Sequence, residues 1–347
     1  MKIRLAEAVG ISTRILSAYE NGGAVPSDDT LTRLAAELKF PKEFFYGGTL
    51  EEPALESASF RALSNMTAGQ RDAALGAGAL AMELARWIDE RFNLPVPAVP
   101  DCRGMEPEAA AEAVRAAWGQ GVQPVRNTIH LLESKGVRVF SLAERGPEVD
   151  AFSLWKGGIP FVFLNTQKSA EHSRFDAAHE LGHLVLHRHG CPEGREAEAQ
   201  ADAFASAFLM PRSSVTAWRL TLPDVNTLIR FKKNWGVSVA ALAHRLRGLE
   251  MLSEWHYRSL CIEISQRGFR KAEPEGMPRE TSQVLAKVFA ALREEGVTKA
   301  DVARQLCLDT AEVDALVFGL VLTQLEGSGR GKKSSGTAGR PNLVRVV

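Results

Sequence analysis

The sequence predicts an α+β chain, mostly helical, with one small antiparallel sheet between helical regions. Three observations carry this reading. Apolar residues recur at helical spacing along most of the 347 residues, with Ala and Leu plentiful and aromatics at only 7%. A single stretch, 137–164, switches to short runs rich in Val, Phe and Ile, broken by Gly and Pro. The helical pattern then returns at Ser169 and persists to about residue 325.

The elements follow in order. Residues 1–50 read as a short helical unit: a helix over Leu5–Val9, a turn at Gly10, and Ser12 as the N-cap of a helix that stops at Asn21-Gly22-Gly23. A third helix covers Asp28 to Leu38. Residues 55–100 form a helical linker region. Its long Ala-rich helix over 66–93 ends at Leu94-Pro-Val-Pro-Ala-Val-Pro100, whose proline spacing makes a stiff extended segment. A domain over 101–211 begins with two helices in 106–135. It continues with strands at Val137–Leu142, Ala151–Trp155 and Ile159–Leu164, and closes with helices over 169–189 and 195–208. A C-terminal helical domain occupies 212–326, with helices near 223–235, 238–251 and 253–267 and a last group in 280–325. Residues 327–347 are Gly, Ser, Lys and Arg with little apolar content and read as a disordered tail.

Composition narrows the function. The 42 basic and 42 acidic side chains cancel, which argues against a protein built around a large nucleic-acid surface but allows one small basic patch. Cys102, Cys191, Cys261 and Cys307 lie far apart without a Cys-x-x-Cys pair, so neither a disulfide framework nor a cysteine zinc knuckle is expected. No basic-then-apolar leader and no uncharged apolar run of about 18 residues occurs. The expected setting is soluble and cytoplasmic, without a membrane partner.

The chemistry concentrates at 179–183, His-Glu-Leu-Gly-His. A helix places residues i and i+4 on one face, so His179 and His183 present two imidazoles to a single point. Glu180 stands beside that point, where its carboxylate can deprotonate a zinc-bound water. The surrounding run, Phe175 to Leu186, is too apolar for a solvated face, and Gly182 permits close backbone packing. A catalytic zinc needs a third protein ligand. The first candidate is Glu198, with Asp202 one turn further along to orient a ligand histidine. Glu196, His187 and Cys191 remain as rivals, His187 reading rather as a core or supporting histidine. Tyr257 and His256 are candidate oxyanion donors only by elimination. Strand Ile159–Leu164 is a candidate edge for docking an extended peptide.

His-Glu-Leu-Gly-His-Leu-Val-Leu-His at 179–187 resembles the active-site helix of the ImmA/IrrE metallopeptidases, a zincin-like fold. The segment from Glu198 to Pro211, ending in Leu-Met-Pro, resembles that family's second motif. Family members commonly carry a second Glu two residues after the ligand. Gln200 stands there in this chain, which supports Glu198. The resemblance implies a Zn2+-dependent endopeptidase with His179, His183 and Glu198 as ligands and Glu180 as the general base. Its implied substrate is a partner protein, a transcriptional repressor, cut to release the genes it controls.

Residues 1–47 resemble a Cro/repressor-type (XRE) helix-turn-helix whose N-terminal helix, ahead of Ile3, is missing from the pattern. Ser59–Leu63 and Phe231–Ser238 resemble segments of proteins that fuse the two modules. In such a motif the second helix enters the major groove. Ser12, Thr13, Arg14 and Ser17 are therefore the candidate DNA-contacting residues, and Ile15, Leu16 and Tyr19 are expected in the core. Basic and acidic residues balance within 1–47, which weakens DNA binding and leaves a small docking or dimerisation domain as the other reading. Thr298–Thr310 also looks like the start of a helix-turn-helix, a pattern common in plain helical bundles. The expected partners are thus a protein substrate, DNA and, for assembly, a second copy of the chain. The rival function is a DNA-binding regulator whose peptidase-like domain senses without cutting.

Overall fold

The computed structural model describes residues 2–48, 50, 67–142, 151–188 and 194–321. Ser59–Leu63, His189, Cys191 and the 327–347 tail lie outside the described residues. The chain divides into two compact units, Met1–Glu51 with Phe289–Asp314 and Glu52–Val288 with Ala315–Val347.

In the first unit, α1 (Lys2–Val9), α2 (Thr13–Glu20) and α3 (Asp28–Leu38) precede a 3-10 turn at Lys42–Tyr46. Ser12 caps α2 by accepting from the Ile15 amide, and Ser27 caps α3 through Thr30. Ala6, Val9, Leu16 and Leu34 form a small core, with Leu5, Ile11 and Tyr19 against it. Ile15 corrects the expectation for α2. It is 44% exposed, because the buried stripe runs through Leu16 and Tyr19 at i, i+3, and Ile15 points about 100° away from Leu16.

The second unit is built around one buried helix. Its first helix, α4 (Ala68–Asp89), starts with a Thr67–Gln70 capping box and buries an Ala/Leu face. The proline segment after it lies against the fold: Ala98 donates its amide to Lys135 O and accepts from Trp118 Nε1. Then come α5 (Pro107–Ala117), α6 (Thr128–Ser134), β1 (Arg138–Ser141), β2 (Phe152–Lys156) and β3 (Ile159–Leu164). The pair α7 (Ala170–Leu186) and α8 (Arg195–Leu209) follows.

The sheet has the order β1-β3-β2 and is mixed, which corrects the all-antiparallel expectation. Gly157 and Gly158 both adopt positive φ (55° and 79°), the two-residue turn that matches strand twist, so β2 and β3 pair antiparallel. The chain places β3 between the other two strands, and β3 therefore runs parallel to β1, with Phe140 opposite Phe163. Both edges of β3 are occupied, so Ile159–Leu164 is not the strand that receives a peptide.

Helix α7 is buried nearly all round, packing on α5, α6, α8, β2 and β3. Buried charges hold its first turns. Arg174 pairs with Glu280, whose other oxygen accepts from the Thr128 amide at 3.0 Å, and Lys232 lies 3.3 Å from Glu171 and 3.2 Å from Glu273. Beyond α8 come α9 (Arg212–Thr216), α10 (Val225–Lys232), α11 (Val239–Gly248) and α12 (Glu254–Gln266). The last helices are α13 (Gln283–Glu294), α14 (Lys299–Gln305) and α15 (Thr310–Val317), of which the stretch Phe289–Asp314 belongs to the first unit. Among the described residues no helix is long and apolar enough to cross a membrane.

Candidate metal centre

Two helices bring the site together. Ser169 caps α7 through the His172 amide, and His179 and His183, one turn apart on that helix, face α8. Across from them, Glu198 sits in the first turn of α8 and is buried. The approach is close because Gly182 has no side chain: a Cβ there would meet Ala201 Cα at 3.1 Å and Phe204 Cδ1 at 3.2 Å.

The donor atoms converge. His179 Nε2 lies 3.3 Å from Glu198 Oε2, His183 Nε2 lies 3.4 Å from Glu198 Oε1, and the two Nε2 atoms are 3.1 Å apart. Among the described residues His179, His183 and Glu198 are the grouping of His, Cys, Asp and Glu side chains able to hold a metal ion. Donors at about 2.0–2.1 Å from a tetrahedral zinc stand about 3.3–3.4 Å from one another, so the separations are those of a zinc-sized cation. The electrostatics agree. Burial opposes charge on His179, yet hydrogen bonds with Asp202 and Glu198 and the Glu180 charge prevail and push its pKa up to about 10. Burial likewise opposes charge on Glu198, but hydrogen bonds from His179 and His183 hold it well below the usual carboxylate range. The pocket favours positive charge at the point where the donors meet.

The neighbours divide by role. Asp202 Oδ1 lies 2.8 Å from His179 Nδ1. Glu180 is buried and accepts from Ser153 Oγ at 2.7 Å. His187, the C-cap of α7, has Nδ1 2.9 Å from His183 Nδ1 and Nε2 2.9 Å from Gln200 Oε1. Burial lowers its pKa. Both its nitrogens face those partners, and it stands outside the converging set, as does Glu196, whose Oε1 meets Gln200 Nε2 at 3.4 Å.

Other expectations land elsewhere. His256 Nε2 faces Pro223 O at 2.9 Å, and Tyr257 meets His244, Arg247 and Cys261. None of these contacts joins either residue to the metal cluster. Sequence reasoning passed over Ser153. The available signal was a lone hydroxyl in the apolar strand Phe-Ser-Leu-Trp, a residue that must find a partner once buried.

In the N-terminal unit, Ser12, Thr13 and Arg14 are exposed at the start of α2. The Ser12 hydroxyl caps the helix, and Ser17 Oγ accepts from Lys2 Nζ at 3.3 Å. The Thr298–Thr310 stretch also forms a helix, turn and helix, with Cys307 at φ 54° in the turn. Its second helix, α15, holds Glu312 and Asp314 and no Lys or Arg, a poor face for a phosphate backbone.

Comparison with known families follows the same division. No curated protein matches the chain. Residues 2–45 match the model of a helix-turn-helix domain, covering α1–α3 and the 3-10 turn almost to its end. Residues 132–247 match the model of the IrrE N-terminal-like domain of the M78 peptidases, a span that contains both helices of the candidate metal centre. The chain therefore carries an IrrE N-terminal-like, M78-type peptidase domain behind an XRE-type helix-turn-helix domain.

Proposed function

We propose that the chain is a regulatory zinc-dependent endopeptidase that hydrolyses a peptide bond in a partner protein, a transcriptional repressor. One observation carries the reading: three donor atoms from α7 and α8 converge at the spacing of a tetrahedral zinc, with the buried carboxylate of Glu180 next to one of them in sequence. His179, His183 and Glu198 would hold the ion, and Asp202 orients His179. Bound zinc supplies Lewis acidity, which polarises a carbonyl and brings water within reach of deprotonation near pH 7. Glu180 takes the proton from the attacking water and returns it to the leaving amine. Ser153 holds one Glu180 oxygen at a fixed angle through its 2.7 Å hydrogen bond. Such a protein works in the cytoplasm, where its repressor and DNA are both present.

The helix-turn-helix match favours a second reading, in which the chain binds DNA and its peptidase-like domain only senses a metal, ligand or partner. One experiment separates the two. The purified chain is assayed for zinc and incubated with repressors encoded beside its gene, as wild type and as Glu180→Gln. The peptidase reading expects a defined cleavage by wild type that a chelator abolishes, and a Glu180→Gln protein that keeps zinc but does not cut. Specific, salt-dependent DNA binding by a zinc-loaded chain that cuts none of them overturns it in favour of the sensor.

A further inference from the structure

We propose that Trp155 is a positioning residue for His183: its indole N–H caps the last turn of α7 and holds that turn in register with Glu180. The inference rests on the metal-site reading above and extends it to a strand residue outside the ligand set.

His183 stands at a weak place in its helix. α7 ends at Leu186, so the carbonyls of its last turn need partners from beyond the helix. The C-cap, His187, has φ −117°, so no left-handed residue closes the end. Two donors from elsewhere in the fold do so. The Cys102 amide donates to Val185 O at 2.8 Å, and Trp155 Nε1 donates to Leu184 O at 3.2 Å. Trp155 is the side-chain donor of the two, and the carbonyl it engages belongs to the residue next after His183. His179 has no such need, because α7 continues about two turns past it.

Strand β2 reaches two successive turns of α7. Side chains two apart on a strand share one face and stand about 6.6 Å apart along it, while carbonyls four apart on a helix stand about 6.0 Å apart. Ser153 and Trp155 use that match. Ser153 Oγ lies 2.7 Å from Glu180 Oε2 and 3.2 Å from Glu180 O, and Trp155 Nε1 meets Leu184 O four residues on. The intervening Leu154 points to the other face and is buried. The indole is held in its turn by Arg188, whose guanidinium carbon lies 3.8 Å from the ring centroid. One strand thus engages both the proposed base and the turn that carries the second histidine, and the β2 backbone sets their spacing.

The test compares wild type with Trp155→Phe, which keeps a ring beneath Arg188 but has no N–H, and Trp155→Gln, which keeps an N–H donor but has no ring. The properties read are zinc affinity by chelator competition, the visible absorption of bound Co2+, which reports the geometry of the ligand set, and hydrogen exchange of the His187 amide in the metal-free protein. That amide is bonded to His183 O and reports the last turn directly. In Trp155→Phe, zinc should bind about tenfold more weakly and the His187 amide exchange about tenfold faster, the size expected for one lost hydrogen bond, and the Co2+ bands should shift. Trp155→Gln should recover most of each. A Trp155→Phe protein equal to wild type in all of them overturns the proposal. So does a Trp155→Gln protein as impaired as Trp155→Phe, since ring packing and not the N–H would then be the cause. Should Trp155→Phe not fold, benzothiophene in place of the indole at position 155 exchanges only N–H for sulfur and decides by the same outcomes. A wild type that binds neither metal overturns the metal-site reading instead, and the His187 exchange still decides whether the indole holds the turn.

Discussion

Gly182 of α7 faces the backbone of α8 so closely that a Cβ on it would lie 3.1 Å from Ala201 Cα and 3.3 Å from Ala201 O. Both are backbone atoms, which cannot rotate away. That contact sets the distance between the histidines on one helix and Glu198 on the other. Gly182→Ala gains about 1 kcal/mol of helix propensity but forces the helices apart, an overpacking that costs about 1–3 kcal/mol. The expected net is a loss of about 1 kcal/mol in urea unfolding, with zinc affinity falling as the donors separate. A variant as stable as wild type with unchanged zinc affinity would show that the crossing is not set here.

Glu198 and Asp202 lie one turn apart on α8 and have different duties. Glu198→Ala removes one of three donors, so stoichiometric zinc should be lost on dialysis. Asp202→Asn keeps the donors but removes the carboxylate that fixes His179, so zinc should stay bound about 10- to 100-fold more weakly. Chelator competition on the two purified variants measures both. Tight zinc in Glu198→Ala would mean that the third ligand is another residue.

Ser153→Ala takes from Glu180 a buried hydrogen bond to a charged group, of a kind worth about 1.5–3 kcal/mol. Zinc content should be unchanged and kcat for substrate cleavage should drop about tenfold or more, since the general base loses its fixed orientation. An unaltered kcat would show that the hydroxyl does not position Glu180.

A pH dependence follows from the pair that ties α5 to α11. Arg245 donates to both Glu108 oxygens, Nη1 at 2.9 Å and Nη2 at 2.5 Å, and this bond holds the Glu108 carboxyl below its ordinary value of 4.5. A carboxyl depressed by folding stabilises the native state above the unfolded value, and that contribution is lost as pH falls through the folded one. Stability should therefore be flat above about pH 5 from this pair and decline below about pH 4.5. Glu108→Gln should lower stability at neutral pH by about 1.5 kcal/mol, because the amide oxygen can replace one carboxylate acceptor but not the second, nor the charge that faces the buried Arg245. It should also flatten the acid limb. Urea unfolding of both proteins at pH 4, 5 and 7 is the measurement, and equal acid slopes would contradict the assignment.

Arg14 is exposed in the first turn of α2, the end of that helix that enters the groove in a helix-turn-helix. If the module reads DNA, Arg14→Ala should weaken operator binding and, if Arg14 contacts a phosphate, reduce the salt slope by about 1. Filter binding at several salt concentrations checks this. Unchanged binding and slope would remove Arg14 from the interface.

Much of the fold was legible because the signals are local. Ser12, read from the sequence as an N-cap, caps α2, and Ser27, Thr67 and Ser169 cap α3, α4 and α7 in the same way. The Gly that breaks the apolar runs of 137–164 falls, at Gly157-Gly158, in the hairpin turn. The parallel pairing of β1 was not legible, because strand order depends on which edge the third strand finds. Ile15 was misplaced for a related reason: on a helix of eight residues, a shift of one position moves a side chain from core to solvent.

The sequence by itself determined the types of the candidate ligands and their spacing along each helix, since His179 and His183 at i, i+4 and Glu198 with Asp202 at i, i+4 follow from helical geometry alone. Only the tertiary structure decided that these two faces meet with donors 3.1–3.4 Å apart. It alone showed that Ser153 reaches Glu180 from the sheet, and that His187 meets the His183 ring and stays out of the converging set. The physical reason is that each of these relations depends on how closely one element packs on another. Periodicity along the chain does not encode that distance, whereas the absent Cβ of Gly182 sets it once the helices have met.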